Sequence, residues 1–244
     1  HLRTRRQRQM CIRDRVTSVL QSIFGTGVLL FGTPIMLILG EDFQTTLTIL
    51  LPASIFINFL QIRNNLKSID IAFYKNLILF CLPMVFLTLY LSFSIHFSTN
   101  SVIGTFLIVI SLKSLVKPVA MIINWIISFE RLYLTMMGIL HGFTNLGGSL
   151  LSGIILSKEL TKDSKRATIA ASYCSMACIQ IVTIYAVLDF HKIFNVKNFI
   201  YWISAPIIFF TIEKYIYHTV NEKLYNKISG VFLFLVGVAI LIKT

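Results

Sequence analysis

The chain has 244 residues, of which 56% are hydrophobic and only 13% are charged, and its mean hydropathy is +0.79. Soluble domains are near half apolar and about a quarter charged, so this composition excludes an ordinary soluble protein and indicates an integral membrane protein. The net charge of +12 lies almost wholly in short links between apolar segments, where the positive-inside rule places it. We therefore expect the lipid bilayer, and no nucleic acid, as a partner.

The first fifteen residues are set apart from the rest of the chain. They carry six arginines, and residues 9–14 read as the translation of a widely used sequencing-library adapter. We interpret residues 1–15 as a sequencing artefact and leave them out of the topology argument. Without the six arginines and Asp14 the net charge falls by five, from +12 to +7.

Eight long apolar segments follow, and each has the length and composition of a membrane segment. An additional apolar stretch, 118–129, is too short to span at about 1.5 Å per residue, and we expect an interfacial or packed helix there. The eight segments cover residues 16–40, 43–62, 76–95, 101–116, 135–157, 167–188, 199–212 and 228–242. The fold class predicted from them is all-α, a polytopic integral membrane protein in a single membrane domain.

The first and fifth segments indicate an internal duplication. Residues 27–32 and 148–153 share the pattern Gly-x-Leu-Leu-x-Gly at a separation of 121 residues, half the chain. Two later landmarks recur at separations of 123 and 126 residues: Pro83 with Pro206, and residues 103–107 with 229–233. Such near-constant separations are typical of the duplicated halves of secondary transporters. We predict a first membrane repeat over 16–117 and a second over 118–244.

Several features together carry a family resemblance. They are the two glycine-rich segments, Gly32-Thr33-Pro34 after the first, a basic link ending at Arg166 after the second, and about eight apolar segments in two halves. Over residues 16–244 the chain resembles the TauE/SafE sulfite-exporter-like permeases. The resemblance implies a permease for sulfite, an organosulfonate or a related small sulfur-containing anion. The chain departs from the family pattern in having no proline in the second segment, and the resemblance does not select one anion.

The glycines in both segments need a physical reason, because glycine weakens a helix by roughly 1 kcal/mol relative to alanine. One reason is a helix broken at membrane depth, whose free N–H groups and positive dipole end attract an anion. The other is close helix packing through small residues. On the first interpretation the glycines and the polar residues beside them line the substrate path. These candidate residues are Gly25, Thr26, Gly27, Gly32, Thr33, Pro34, His141, Gly142, Thr144, Asn145, Gly147, Gly148, Ser149 and Gly153.

Two titratable residues near these segments have alternative interpretations. Lys113 lies within a predicted span and either extends its amine to the interface or attracts anions, and we expect Lys113→Ala to lower anion affinity only modestly. His141 either titrates in a proton-coupled cycle or is a hydrogen-bonded packing residue.

Cys174 and Cys178 share a helix face as small packing residues or as soft-metal or redox ligands. No Cys/His spacing predicts a metal site, and we expect no cofactor and no catalysis.

The charges also bear on topology. If all eight segments cross the membrane, the links divide eight basic residues against seven, which is no bias. If each glycine-rich segment is instead re-entrant, only Lys192, Lys197 and Lys243 lie outside with the acidic link at Glu41 and Asp42. The twelve cytoplasmic residues are then Arg63, Lys67, Lys75, Lys117, Arg131, Lys158, Lys162, Lys165, Arg166, Lys214, Lys223 and Lys227. This asymmetry favours re-entrant segments and inverted repeats, while parallel repeats remain an alternative.

The function expected from these observations is a secondary permease that exports a small anion across a cell membrane, with a bacterial inner membrane as the expected location. The alternative is a membrane partner or assembly protein that transports nothing and uses its glycines only to pack helices. Polar threonine, serine and asparagine side chains around the glycines favour the permease, because packing alone does not require them.

Overall fold

The computed structural model describes residues 28–63, 65–94, 99–115, 125–187, 196–216 and 222–243. Within these ranges the regular structure is helical and no strand occurs, which confirms the predicted all-α class. The helices are α1 (Val28–Ile38), α2 (Phe43–Arg63), α3 (Ile71–Ser94), α4 (Thr99–Leu115), α5 (Glu130–Thr144), α6 (Gly148–Ser157), α7 (Lys162–Val187), α8 (Val196–Ile216) and α9 (Glu222–Lys243).

Helices α2, α3 and α7 are long and apolar enough to cross a membrane. Among the described residues, helices α1, α4, α6, α8 and α9 contain shorter apolar stretches, over Leu29–Ile38, Thr99–Leu112, Gly148–Ser157, Tyr201–Thr211 and Gly230–Lys243. The predicted segment 135–157 does not form one span, because it is divided between α5 and α6. Eight segments in two duplicated halves therefore remain a prediction.

Helix α3 contains a π-helical turn over Leu77–Cys81, and α5 packs against it through two glycines. A β-carbon on Gly138 would overlap the carbonyl oxygen of Cys81, and one on Gly142 would lie 2.8 Å from the carbonyl oxygen of Val85. Because these glycines are four residues apart, they lie on one face of α5 and let the two backbones approach closely.

Helices α2 and α7 pack against each other, and they run in opposite directions because the link after the end of α2 bonds to the start of α7. The backbone N–H of Asp70, in the link after α2, donates to Thr168 Oγ1 near the start of α7 at 2.9 Å. Farther along α3, the Tyr74 hydroxyl lies 2.6 Å from Ser175 Oγ. The second contact lies nearer the C-terminus than the first on both α3 and α7, so these two helices run in the same direction.

Helices α4 and α9 also run in opposite directions and meet at a glycine from each. A β-carbon on Gly104 would lie 2.8 Å from Leu241 Cγ, and one on Gly237 would lie 3.0 Å from Ile108 Cγ1. Gly104 therefore contacts Leu241, while Ile108, one turn later on α4, contacts Gly237, one turn earlier on α9. Such a pattern is typical of an antiparallel pair.

Candidate functional site

The second glycine-rich segment is broken between α5 and α6. Helix α5 ends at Thr144, and Asn145 adopts the left-handed conformation with φ 59° and ψ 17° while its N–H donates to the carbonyl oxygen of His141 at 2.7 Å. Asparagine tolerates this conformation better than most residues. Helix α6 begins at Gly148, and its N-cap, Gly147, provides no side-chain hydrogen bond. The first turn of α6 therefore begins inside the protein without a cap from the side chain of its N-cap residue.

The outer ends of α5 and α6 lie side by side. Lys158 Nζ, just after α6, is 2.6 Å from Glu130 Oε2 at the start of α5, and the Tyr133 hydroxyl donates to the carbonyl oxygen of Leu150 at 2.8 Å. Two collinear helices of 15 and 10 residues would hold these ends roughly 40 Å apart at about 1.5 Å per residue. The segment therefore turns back on itself at residues 145–147.

His141 links the break to α7. The Gly147 N–H donates to His141 Nδ1 at 3.1 Å, and His141 Nε2 lies 3.2 Å from Gln180 Oε1. Because a backbone N–H can only donate, Nδ1 is unprotonated, and the proton of the neutral imidazole is on Nε2, from which it donates to Gln180. His141 is fully buried. The structure thus supports the hydrogen-bonded packing interpretation of His141.

Asn145 and Thr33 connect the two glycine-rich segments directly. Asn145 Nδ2 donates to Thr33 Oγ1 at 2.9 Å across 112 residues of sequence, and both side chains are fully buried. Thr33 lies on α1, one residue after Gly32. One predicted polar residue from each segment is therefore brought into contact with the other.

Several buried polar side-chain atoms have no hydrogen-bond partner among the described residues. They are Thr46 Oγ1, Asn145 Oδ1, Ser152 Oγ, Ser172 Oγ and Gln180 Nε2. Leaving such a group unpaired costs about 1–3 kcal/mol, so each of these atoms needs a physical reason. Among these atoms the three hydroxyls and the Gln180 NH₂ group can donate to a desolvated oxyanion, whereas Asn145 Oδ1 can only accept.

Four of these residues were not predicted from the sequence, and one of them, Ser152, lies within the second glycine-rich segment. The other three, Thr46, Ser172 and Gln180, were missed because they are isolated polar residues within long apolar spans. A signal for them exists nevertheless. Thr46 and Ser54 recur 126 residues later as Ser172 and Gln180, the same separation that relates residues 103–107 to 229–233. Polar residues that recur at the repeat separation would have identified the three.

The remaining predicted residues differ in their surroundings. Gly148 lies against the ring of Tyr173 on α7, whereas Gly142 packs on α3 and Gly32 lies against the Leu50 side chain. The Thr144 hydroxyl donates to the carbonyl oxygen of Leu140, and that of Ser149 to Leu146. Pro34 lies within α1 and Gly153, half-buried, within α6. Gly25, Thr26, Gly27 and the side chain of Lys113 lie outside the described residues.

The charged groups near α5 and α6 lie at their outer ends. Partial burial works to raise the pKa of Glu130, but hydrogen bonds from Lys158 and Asn76 and the charges of Lys158 and Arg131 outweigh it, so the pKa lies below its ordinary 4.5. Among the residues that the structure describes, no three His, Cys, Asp or Glu side chains are grouped to hold a metal ion. Cys174 and Cys178 are free thiols on α7.

Comparison with known proteins identifies the family. A family model described as "Sulfite exporter TauE/SafE" matches residues 16–240. No curated protein and no solved structure matches the chain. Because the match covers nearly the whole chain and the apolar helices agree with it, the resemblance seen in the sequence is confirmed. The chain belongs to the sulfite exporter TauE/SafE family of membrane permeases.

Proposed function

We propose that the protein is a secondary permease that exports a small sulfur-containing anion, sulfite or an organosulfonate, across the cell membrane. The observation that carries the proposal is the buried N-terminus of α6, whose N-cap residue provides no side-chain hydrogen bond and which His141 links to Gln180, a residue with an unpaired NH₂ group. A helix N-terminus offers free N–H groups and the positive end of the helix dipole, both of which favour an anion. The family assignment supports transport and gives no support to a non-transporting assembly protein.

The chemistry of the break suits transport rather than permanent binding. The described groups beside the α6 N-terminus are neutral: His141 is held uncharged by two hydrogen bonds, and the ion pair of Glu130 with Lys158 lies at the far ends of α5 and α6. Neutral donors stabilise a desolvated anion less than a lysine or arginine would. A permease needs binding that is strong enough to admit its substrate and weak enough to release it.

The proposed topology has re-entrant glycine-rich segments, and the contacts between links support it. Asp70 bonds to Thr168, and Asn76 and Lys158 both bond to Glu130, so three basic links lie at one end of the protein. The re-entrant assignment gives all three to the cytoplasm, whereas eight simple crossings would separate them. At the other end, Lys243 Nζ donates to the carbonyl oxygen of Ile38 beside the acidic link. The re-entrant topology places both Lys243 and the acidic link on the outside.

Inverted repeats are supported by the directions of corresponding helices. In inverted repeats equivalent helices run in opposite directions, and α2 opposes α7 as α4 opposes α9. Tyr74 contacts Ser175, and Trp202 Nε1 donates to the carbonyl oxygen of Ile49 at 3.1 Å. Ile49 and Ser175 are 126 residues apart, and Tyr74 and Trp202 are 128 apart, so each contact has its counterpart in the other half.

Two experiments test the proposal. The first is an efflux assay in a host lacking its own exporters, with sulfite tested beside sulfoacetate, sulfate and organic acids. It should show export of sulfur-containing anions, and the organic acids without sulfur should not be exported. The absence of export for every sulfur anion would refute the function. For topology, single cysteines replacing Asp42 and Lys162 in a cysteine-free background should react with membrane-impermeant reagents from opposite sides, Asp42 from outside. Labelling of both from one side would refute the re-entrant arrangement.

A further inference from the structure

We propose that Gln180 donates hydrogen bonds to the transported anion and that His141 is the positioning residue that sets the orientation of the Gln180 amide. This inference rests on the proposed function, because it assigns a residue of the same site. It adds a substrate contact from α7, which lies outside both glycine-rich segments.

The orientation of the Gln180 amide follows from a chain of hydrogen bonds that begins at the backbone. The Gly147 N–H must donate, so His141 Nδ1 accepts, and the imidazole proton is on Nε2. The atom of Gln180 that lies 3.2 Å from Nε2 must then be the oxygen. The NH₂ group of Gln180 therefore points away from His141, and this assignment does not depend on a choice between the two amide orientations.

The NH₂ group of Gln180 is buried and unpaired. The side chain has 0% exposure, and Nε2 has no partner among the described residues. A buried amide donor that lacks a partner is unfavourable, and an apolar side chain of similar size would not carry this cost. The two N–H bonds can be satisfied by two oxygens of one oxyanion, or both by one oxygen.

The position of Gln180 fits such a contact. The imidazole of His141 is the group between the Gly147 N–H and the Gln180 amide, at 3.1 and 3.2 Å. Two turns earlier on α7, Tyr173 lies against Gly148, the first residue of α6. Gln180 therefore lies on the face of α7 that reaches the N-terminus of α6 at Tyr173, and the inferred contact adds the two Gln180 donors to those of the helix end.

The substrate class that this arrangement favours is an oxyanion with at least two accessible oxygens, such as sulfite or a sulfonate. A cation would meet the positive ends of N–H bonds and of a helix dipole and would be repelled. For the same reason, replacing the Gln180 NH₂ group by the anionic oxygen of glutamate should make this part of the site repel anions.

The test is sulfite and methanesulfonate transport by purified protein in liposomes, with KM and maximal rate measured separately. Gln180→Glu keeps the shape of the side chain and the oxygen that accepts from His141, but replaces the donor by an acceptor. Since a hydrogen bond to a charged group contributes about 1.5–3 kcal/mol, KM should rise at least about tenfold. Gln180→Met, which removes the amide, should raise KM similarly. Thr183→Val is the matched control, because the Thr183 hydroxyl is buried on α7 but already bonded to Ile179.

The positioning role of His141 has its own readout. His141→Asn retains an acceptor for the Gly147 N–H but cannot reach Gln180, so the amide is no longer oriented. KM should rise as in Gln180→Met, and the double variant should show no further increase, because both changes remove the same contact. Additive increases in KM would overturn the positioning role.

The outcomes separate the two proposals. If the wild-type protein transports neither anion, the proposed function fails. If the wild type transports and correctly folded Gln180→Glu and Gln180→Met proteins have the wild-type KM, the function stands and the Gln180 contact is refuted.

Discussion

Replacing Gly148 by alanine should disable the candidate site through a single methyl group. A β-carbon at this position would overlap the phenol of Tyr173 and would come within 2.5 Å of its Cε1, about 1 Å inside the 3.4 Å at which ordinary contact begins. Tyr173 is only 4% exposed, so its ring cannot turn out of the way. The start of α6 must therefore move away from α7.

The magnitude follows from two opposing terms. Alanine is favoured over glycine in a helix by roughly 1 kcal/mol, whereas overpacking a core costs about 1–3 kcal/mol. We expect a net loss of stability on the order of 1 kcal/mol and a folded protein. The displaced helix end would lose at least one hydrogen bond to the anion, which raises KM about tenfold or more.

The assay is transport in liposomes combined with thermal unfolding in detergent. Tyr173→Leu shortens the side chain that causes the overlap, so it should restore much of the stability lost in the Gly148→Ala protein. Gly32→Ala is the matched control, because its β-carbon would meet only the flexible methyl groups of Leu50, at 3.0 Å. A Gly148→Ala protein with wild-type stability and KM would refute the reasoning.

Two further predictions concern stability. Asn145→Gly should lower the free energy of unfolding by about 0.5–1.5 kcal/mol, because it removes the hydrogen bond to Thr33. Asn145→Ala should lower it by about 1 kcal/mol more, because alanine is strained in the left-handed conformation of this residue. Equal unfolding free energies of the two variants would contradict this prediction. The lowered pKa of Glu130 means that its ion pair with Lys158 contributes fully above pH 4.5 and is lost as pH falls through the lower pKa of the folded state. Thermal unfolding of Glu130→Gln should accordingly depend less on pH below 4.5 than that of the wild type, and identical pH profiles would contradict the assignment.

The break at Asn145 could be predicted from sequence, because glycines and an asparagine within a membrane-length segment are a local signal. The role of each glycine could not. Gly142 and Gly148 are six residues apart in the same motif, yet Gly142 packs on α3 and Gly148 lies at the start of α6. Close packing and a helix break both require small residues, so only the tertiary neighbours distinguish them.

The contribution of α7 was missed for a different reason. Gln180 is one polar residue in a long apolar helix, and hydropathy averaged over a span does not register it. Its significance depends on the unprotonated Nδ1 of His141, which a contact with the backbone of Gly147 sets. A hydrogen-bond relay that crosses from α5 to α7 has no sequence signature, although the recurrence of Ser54 as Gln180 would have drawn attention to this position.

The antiparallel contact between α4 and α9 has a consequence for biosynthesis. Gly104 and Gly237 are 133 residues apart, and at about 5–20 residues per second a ribosome needs on the order of ten seconds to make that stretch. During this interval α4 is already translated while the helix that fills its glycine notch does not yet exist. A nascent chain that stalls before Gly237 therefore presents an unfilled notch on α4.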